Sequence, residues 1–301
     1  MAAHGTGLPA TLASLPAPVY VLFAVLTQLG DVWFVVALAT LVYWLGEAAP
    51  LRFDRRRAAF VLGVALCAVA VVPLLKHLLA LPRPPGAGPP ARGVEVVPPA
   101  LRPLYTSMAT GDGYGVPSGH AFGSTAVYGA IAWSLPAYAR RRRVLVVAAV
   151  VATVSVSRLV LGVHHLLDVV VGVLGGLALL LGARWLSTGG ERPGRLVSLS
   201  VAFAAGNVLV AGVGPESFAI LGATVGAALG WLATARPPAP SVSRRVAWGA
   251  VLVGCVLVAA VFGVPYLLSA NPGVRFLAAA LALALVVAWP GLVGRVAGPT
   301  A

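Results

Sequence analysis

The chain has 301 residues, 59% of them hydrophobic and only 10% charged, with mean hydropathy +0.95. A soluble domain is usually about one quarter charged, so composition excludes an ordinary globular protein and points to helices in a bilayer. The formal net charge of +13 raises the question of nucleic-acid binding, but there is no basic stripe with interleaved aromatics, and most arginines sit between apolar runs, where membrane topology accounts for them.

Residues 1–17 lack a basic stretch ahead of an apolar core, so no cleavable signal peptide is expected. Nine apolar spans follow, at about 19–46, 58–80, 120–138, 144–161, 165–186, 196–213, 217–234, 247–268 and 275–294. Gln28 and Asp31 interrupt the first, which leaves open a span starting near Gly30 with 19–29 along the interface. The expected fold is therefore an all-α, polytopic helical membrane protein of about nine transmembrane helices. Three regions are expected: an N-terminal segment 1–18, a helical core 19–190 with a long loop 81–118, and a four-helix membrane extension 191–301 of unassigned role.

Orientation follows from the basic residues. Loops 47–57, 139–143, 187–195 and 235–246, with adjoining helix ends and the tail, carry 15 of the 21 Lys and Arg residues, Arg52 and Arg236 among them. The other side carries six: Lys76, Arg83, Arg92, Arg102, Arg158 and Arg275. The richer side is expected to be cytoplasmic, with the N-terminus outside and the C-terminus inside.

Three polar signatures break the hydrocarbon. Lys76, Arg83 and Pro84 are spaced K-x6-R-P; Pro117-Ser118-Gly119-His120 follows the long loop; Ser157-Arg158 is followed by His164 after five residues and Asp168 after three more. All fall at span ends on the predicted outer face. Lys76 is the only lysine among 21 basic residues, a compact ammonium in a chain that otherwise uses arginine. Ionisable groups are costly in a membrane and mark function by default.

The chemistry these residues permit is phosphoryl transfer. His164 and Asp168, four apart, share a helix face, and a carboxylate on one ring nitrogen exposes the lone pair of the other for attack. The same pair could instead only tie a helix end together. Ser118 is a candidate N-cap, and a helix N-terminus with Gly119 close by suits an anion. His120 is placed to protonate a leaving group. Lys76, Arg83 and Arg158 supply fixed cations for phosphate oxygens, although each alone could be a snorkelling side chain.

Together the three signatures resemble the type-2 phosphatidic acid phosphatase superfamily, and the chain matches each without departure. The resemblance covers about residues 19–187. It implies that Lys76, Arg83 and Arg158 bind phosphate with Ser118 and Gly119, that His164 is the nucleophile with Asp168 its partner, and that His120 is the acid. It implies a multi-pass membrane enzyme acting on a lipid phosphate or diphosphate, with its site facing out of the cytoplasm and with no metal or other cofactor. The superfamily's soluble branch holds vanadate in a similar pocket; the spans argue against that branch. Membrane members commonly have six spans, so four helices after residue 195 are a departure.

The remaining signals are weaker. Asp31 lies outside every signature and reads first as a polar break in the first span, with contact to the site as the lesser alternative. His165, His77 and His4 lie off the motif spacing, and Asp112 and Glu95 lie in the long loop. Cys67 and Cys255 fall in apolar spans and read as buried small hydrophobes. Gly222, Gly226 and Gly230, like Gly172 and Gly176, repeat at small-xxx-small spacing, which serves close helix packing or a homo-oligomer. A phosphotransferase would use the same residues with a hydroxyl in place of water. A transporter or flippase would need charges within 196–301, where Glu216 and Arg275 fall near loops.

Overall fold

A computed structural model describes Leu12 and residues 14–46, 53–135, 137–234 and 243–297; residues 1–11, including His4, and the loop arginines Arg52 and Arg236 lie outside the described residues. Every regular element among the described residues is helical. In chain order these are α1 (Ala17–Leu26), α2 (Val32–Leu45), α3 (Arg55–Leu79), α4 (Arg102–Ala109), α5 (Gly119–Ser134), α6 (Arg140–Val160), α7 (Leu166–Leu186), α8 (Gly194–Ala211), α9 (Pro215–Thr234), α10 (Arg244–Val258), α11 (Val264–Leu268) and α12 (Pro272–Ala297).

Among the described residues, seven helices are long and apolar enough to cross a membrane, α10 and α11 counting as one, and the α1–α2 pair, bent by 42°, makes an eighth if taken as one span. The span expected at 120–138 is a helix of only 16 residues. It stops at Ser134 because Pro136 disfavours helical backbone at the residue before it. At 1.5 Å per residue it rises about 24 Å, short of a ~30 Å hydrocarbon core. The interruption foreseen at Gln28 and Asp31 is a 3-10 turn, Thr27–Gly30, between α1 and α2.

The described residues divide into two compact units. One gathers the chain up to Val35, Leu75–Ala132 and Tyr138–Leu180; the other holds Val36–Leu74, the short segment after Ala132 and the chain from Leu181 onward.

The first unit holds the long loop in an ordered form. Between Pro82 and Pro117 it folds into two 3-10 turns, Val94–Val96 and Pro99–Leu101, and helix α4. Its apolar side chains Ala87, Ala91, Val97, Tyr105 and Ala109 pack on Tyr20 and Ala24 of α1 and on Val160, Leu161 and Val163. Backbone bonds from Gly111 N–H to Ala87 O (2.8 Å) and from Gly115 N–H to Leu81 O (2.8 Å) draw the two ends of the loop together. Tyr105 Oη donates to Arg92 O, and Arg92 Nη1 reaches Val160 O at 3.4 Å.

In the second unit, indole and phenol donors find backbone carbonyls, as groups in a lipid-like interior must. Tyr43 Oη donates to Val287 O (2.9 Å), Trp44 Nε1 to Val286 O (2.8 Å) and Trp289 Nε1 to Ala250 O (2.9 Å). The glycine stripe of α9 seats α12: a Cβ at Gly222, Gly226 or Gly230 would fall 2.2, 1.9 or 2.7 Å from the carbonyl oxygens of Phe276, Ala280 and Ala284. In the first unit, Gly172 and Gly176 seat Ser118 O and Phe122 O of the α5 segment in the same way. Cys67 is buried, its Sγ 3.1 Å from Leu196 O, but Cys255 is exposed. That corrects the sequence expectation. A mid-span cysteine is equally at ease on a face that turns away from the protein, and apolar composition does not tell the two faces apart.

Candidate active site

All eight predicted site residues lie in the first unit. Lys76 sits in the last turn of α3, and Arg83 follows in the extended stretch after it. Ser118 precedes α5; Arg158 closes α6; Asp168 is in the first turn of α7.

The α6–α7 connection is set by Gly162, whose φ of +72° suits a residue without a Cβ. Val163 N–H bonds to Arg158 O (3.2 Å) and Gly162 N–H to Leu159 O (3.0 Å), the paired bonds of a Schellman turn. A Cβ at Gly162 would also lie 2.7 Å from the Arg92 guanidinium carbon. The turn thus fixes Arg158 just before it and His164 just after it.

Asp168 serves both purposes that the His-x3-Asp spacing allows. Its Oδ2 accepts the His165 N–H (2.9 Å), as the third residue of a capping box does, and the same oxygen lies 3.2 Å from His164 Nδ1. Its backbone carbonyl accepts the Ser118 N–H (2.9 Å), tying the Pro-Ser-Gly-His turn to α7. Gly115 completes the surround: a Cβ there would fall 3.0 Å from both Asp168 Oδ2 and Pro82 O.

The other ring nitrogen, Nε2 of His164, lies 3.1 Å from Arg83 Nη1. A guanidinium has no acceptor, so Nε2 must offer its lone pair and Nδ1 must carry the proton to Asp168. The network therefore assigns the tautomer. Arg83 is held in turn by Nε donating to Asp112 O (2.7 Å) and Nη1 to Val163 O (2.8 Å). Burial, then the positive charges of Arg158, Arg83 and Lys76, and then His120, hold His164 well below the ordinary imidazole value, so the ring is neutral at neutral pH. Burial also lowers Arg83, while Asp112 and Asp168 raise it.

Ser118, Arg158, His164 and Asp168 are each at most 4% exposed. Ser118 O accepts the Phe122 N–H (2.9 Å), so Ser118 holds the N-cap position of α5, yet its hydroxyl caps nothing. Ser118 Oγ and Arg158 Nε are buried without a hydrogen-bond partner. Buried polar atoms are normally satisfied. Two such atoms beside the first-turn N–H groups of α5 and three cations make a surround suited to a multivalent anion. Lys76, Arg83 and Arg158 against Asp31 and Asp168 leave one net positive charge for that anion to offset.

Two polar side chains reach the site from outside the signatures. Thr27 Oγ1 lies 3.3 Å from Arg158 Nη1, and Asp31 Oδ2 lies 3.4 Å from His120 Nε2. Asp31 carried a signal, a carboxylate inside an apolar span; Thr27 carried none. Asp112 contributes its carbonyl to Arg83 and its side chain is exposed, as is Glu95. His165 contributes its backbone N–H, and His77 packs edge-on against Tyr114, 5.7 Å between ring centroids. Among the described residues, no three or more His, Cys, Asp or Glu side chains gather as a metal site.

Residues 57–190 match the model of the PAP2 superfamily. No curated protein and no solved structure matches the chain.

Proposed function

We propose that this chain, whose residues 57–190 match the model of the PAP2 superfamily, is an integral-membrane lipid phosphatase. That match supports a phosphatase-type hydrolase acting on phosphate esters. Beyond that, our reading is of a lipid phosphate monoester or diphosphate substrate, phosphatidate-like or polyprenyl diphosphate-like, hydrolysed through a phosphohistidine. The observation that carries it is the aim of His164: a neutral ring, oriented by Asp168, turns its lone pair toward the Arg83 guanidinium, where a phosphate oxygen would be held.

In the first step His164 Nε2 attacks phosphorus in line. The bond from phosphorus to the leaving oxygen breaks, and that oxygen takes a proton from His120. Arg83 moves its Nη1 from the ring nitrogen to a phosphate oxygen, which frees the lone pair as substrate arrives. Lys76, Arg158, Ser118 and the N–H groups from Gly119 onward hold the remaining oxygens and offset charge that grows in the transition state. In the second step neutral His120 takes a proton from water, the water oxygen bonds phosphorus, and His164 departs with the P–N electron pair. No step needs a metal.

The wider proposal is nine spans, with α5 the short one, in a cell membrane. The arginine bias supports a C-terminus inside and a site facing out, and residues 191–301 form a four-helix membrane extension of unassigned role.

The test is phosphate release from a panel of lipid phosphates in detergent, with and without chelator, for wild type and His164→Ala. Loss in the variant and indifference to chelator are expected. Activity persisting in His164→Ala would sink the nucleophile, and added acceptor alcohols appearing as phosphorylated product would make the enzyme a transferase.

A further inference from the structure

We propose that Asp31 is the positioning carboxylate of His120, and that the turn Thr27–Asp31 is a fourth element of the site, outside the three signatures and outside residues 57–190. The inference rests on the phosphatase reading of His120 and deepens it.

Three contacts place the turn. Thr27 is fully buried with its hydroxyl 3.3 Å from Arg158 Nη1. Gly30 lies bare against the head of α5: a Cβ there would fall 3.0 Å from His120 O and 2.5 Å from Val154 Cγ1. Asp31 Oδ1 accepts the Trp33 N–H (3.3 Å), which leaves Oδ2 directed at His120 Nε2, 3.4 Å away. That nitrogen is sealed from solvent and makes no well-formed hydrogen bond. The separation is that of an ion pair at the outer limit of hydrogen-bond reach, and catalytic contacts tighten when charge develops. A carboxylate that splits one span into two short helices is costly in a membrane.

His120 needs such a partner. The charged and titratable groups that face it are Asp31, Arg158, Lys76 and His164. Two are cations that oppose a proton on the ring, and Asp31 is the carboxylate that favours one. With Nε2–H directed at Asp31, Nδ1 is the nitrogen that exchanges protons. It gives its proton to the leaving oxygen as the P–O bond breaks, then takes one from water as the P–N bond breaks. The site thereby holds two His–carboxylate pairs: His164–Asp168 for attack and His120–Asp31 for proton transfer.

The test uses the full chain in detergent with two probes. A short-chain phosphatidate has an alkoxide leaving group that needs a proton; p-nitrophenyl phosphate does not. Asp31→Asn is expected to lower kcat on the phosphatidate about 100-fold, the scale of general acid catalysis, with KM little changed and a much smaller loss on p-nitrophenyl phosphate. The alkaline limb of its kcat profile should move to lower pH, and Asp31→Glu should restore part of both. Adding Asp31→Asn to His120→Ala should cost nothing further. Equal losses on both probes, an unmoved alkaline limb, or a double variant well below His120→Ala would overturn the proposal. Should Asp31→Asn not fold, 15N spectra of wild-type His120 decide the matter: Nε2 should stay protonated while Nδ1 titrates, and the opposite tautomer overturns the assignment. A wild type inactive on both probes and on the lipid panel would count against the phosphatase reading, and the spectra would still judge the pairing.

Discussion

Replacing Asp168 by Asn keeps the shape of the side chain and removes its charge. The amide oxygen can still accept from His165 N–H and His164 Nδ1–H, which now sit 2.9 and 3.2 Å from a single carboxylate oxygen. Orientation and the α7 cap are therefore largely kept. What is lost appears only when Nε2 bonds phosphorus and the ring becomes cationic. Opposite charges about 4 Å apart, at an effective dielectric constant of about 20, attract by about 4 kcal/mol. Losing that in the transition state alone corresponds to about a thousandfold in kcat. KM should change little, since the ring is neutral when substrate binds. The assay is steady-state phosphate release beside a thermal melt, and the melt should move by only a few degrees. An Asp168→Asn enzyme within about tenfold of wild type, well folded, would refute the claim that this carboxylate stabilises a cationic histidine. Asp168→Ala should fare worse on both readouts, because it also removes a cap worth about 1 kcal/mol.

Other outcomes follow from neighbouring geometry. Gly115→Ala puts a methyl 3.0 Å from Asp168 Oδ2 and Pro82 O, so kcat should fall while the melt moves little; an unchanged kcat counts against Gly115 as part of the surround. Gly162→Ala must hold φ at +72° with a Cβ, at about 1–2 kcal/mol, and must displace Arg92, so it should lower the melting temperature and phosphate release together. His164 titrates well below its ordinary value of 6.5, so the unfolded chain binds the proton more readily. Its contribution to stability is full above about pH 6.5 and is lost as pH falls below that, so detergent melts should drop on acidification and drop less in His164→Gln. Glu95→Cys in a Cys255→Ala background should react with an impermeant thiol reagent on intact cells; labelling only after permeabilisation would invert the proposed orientation.

Much of this was legible in sequence because the signals were covalent spacings or long apolar runs. Helix α7 starts where Asp168 requires, since a cap reaching three residues back to His165 and a His–Asp pair reaching four back to His164 meet at the same carboxylate oxygen. The span at 120–138 came out short because hydropathy continues past Ser134 while Pro136 ends the backbone pattern. Cys255 was misplaced because composition in a lipid-facing helix looks the same on both faces. Thr27 was invisible, since a lone threonine in an apolar run carries no periodic signal. Its role exists only because the chain bends after α1 and sets the turn against Arg158. The order in the long loop was equally hidden: its prolines and glycines carry no helical periodicity, whereas Tyr105, Val97 and Ala91 bury themselves on α1.

Oδ2 of Asp168 is at once the cap of α7 and the anchor of the His164 tautomer. The first turn of that helix cannot fray without releasing the ring. Local openings of this kind occur at free energies below that of global unfolding. On slow heating, phosphate release should therefore fade before the helical signal does, and amide exchange at His165 should report the lost activity more faithfully than the overall melt.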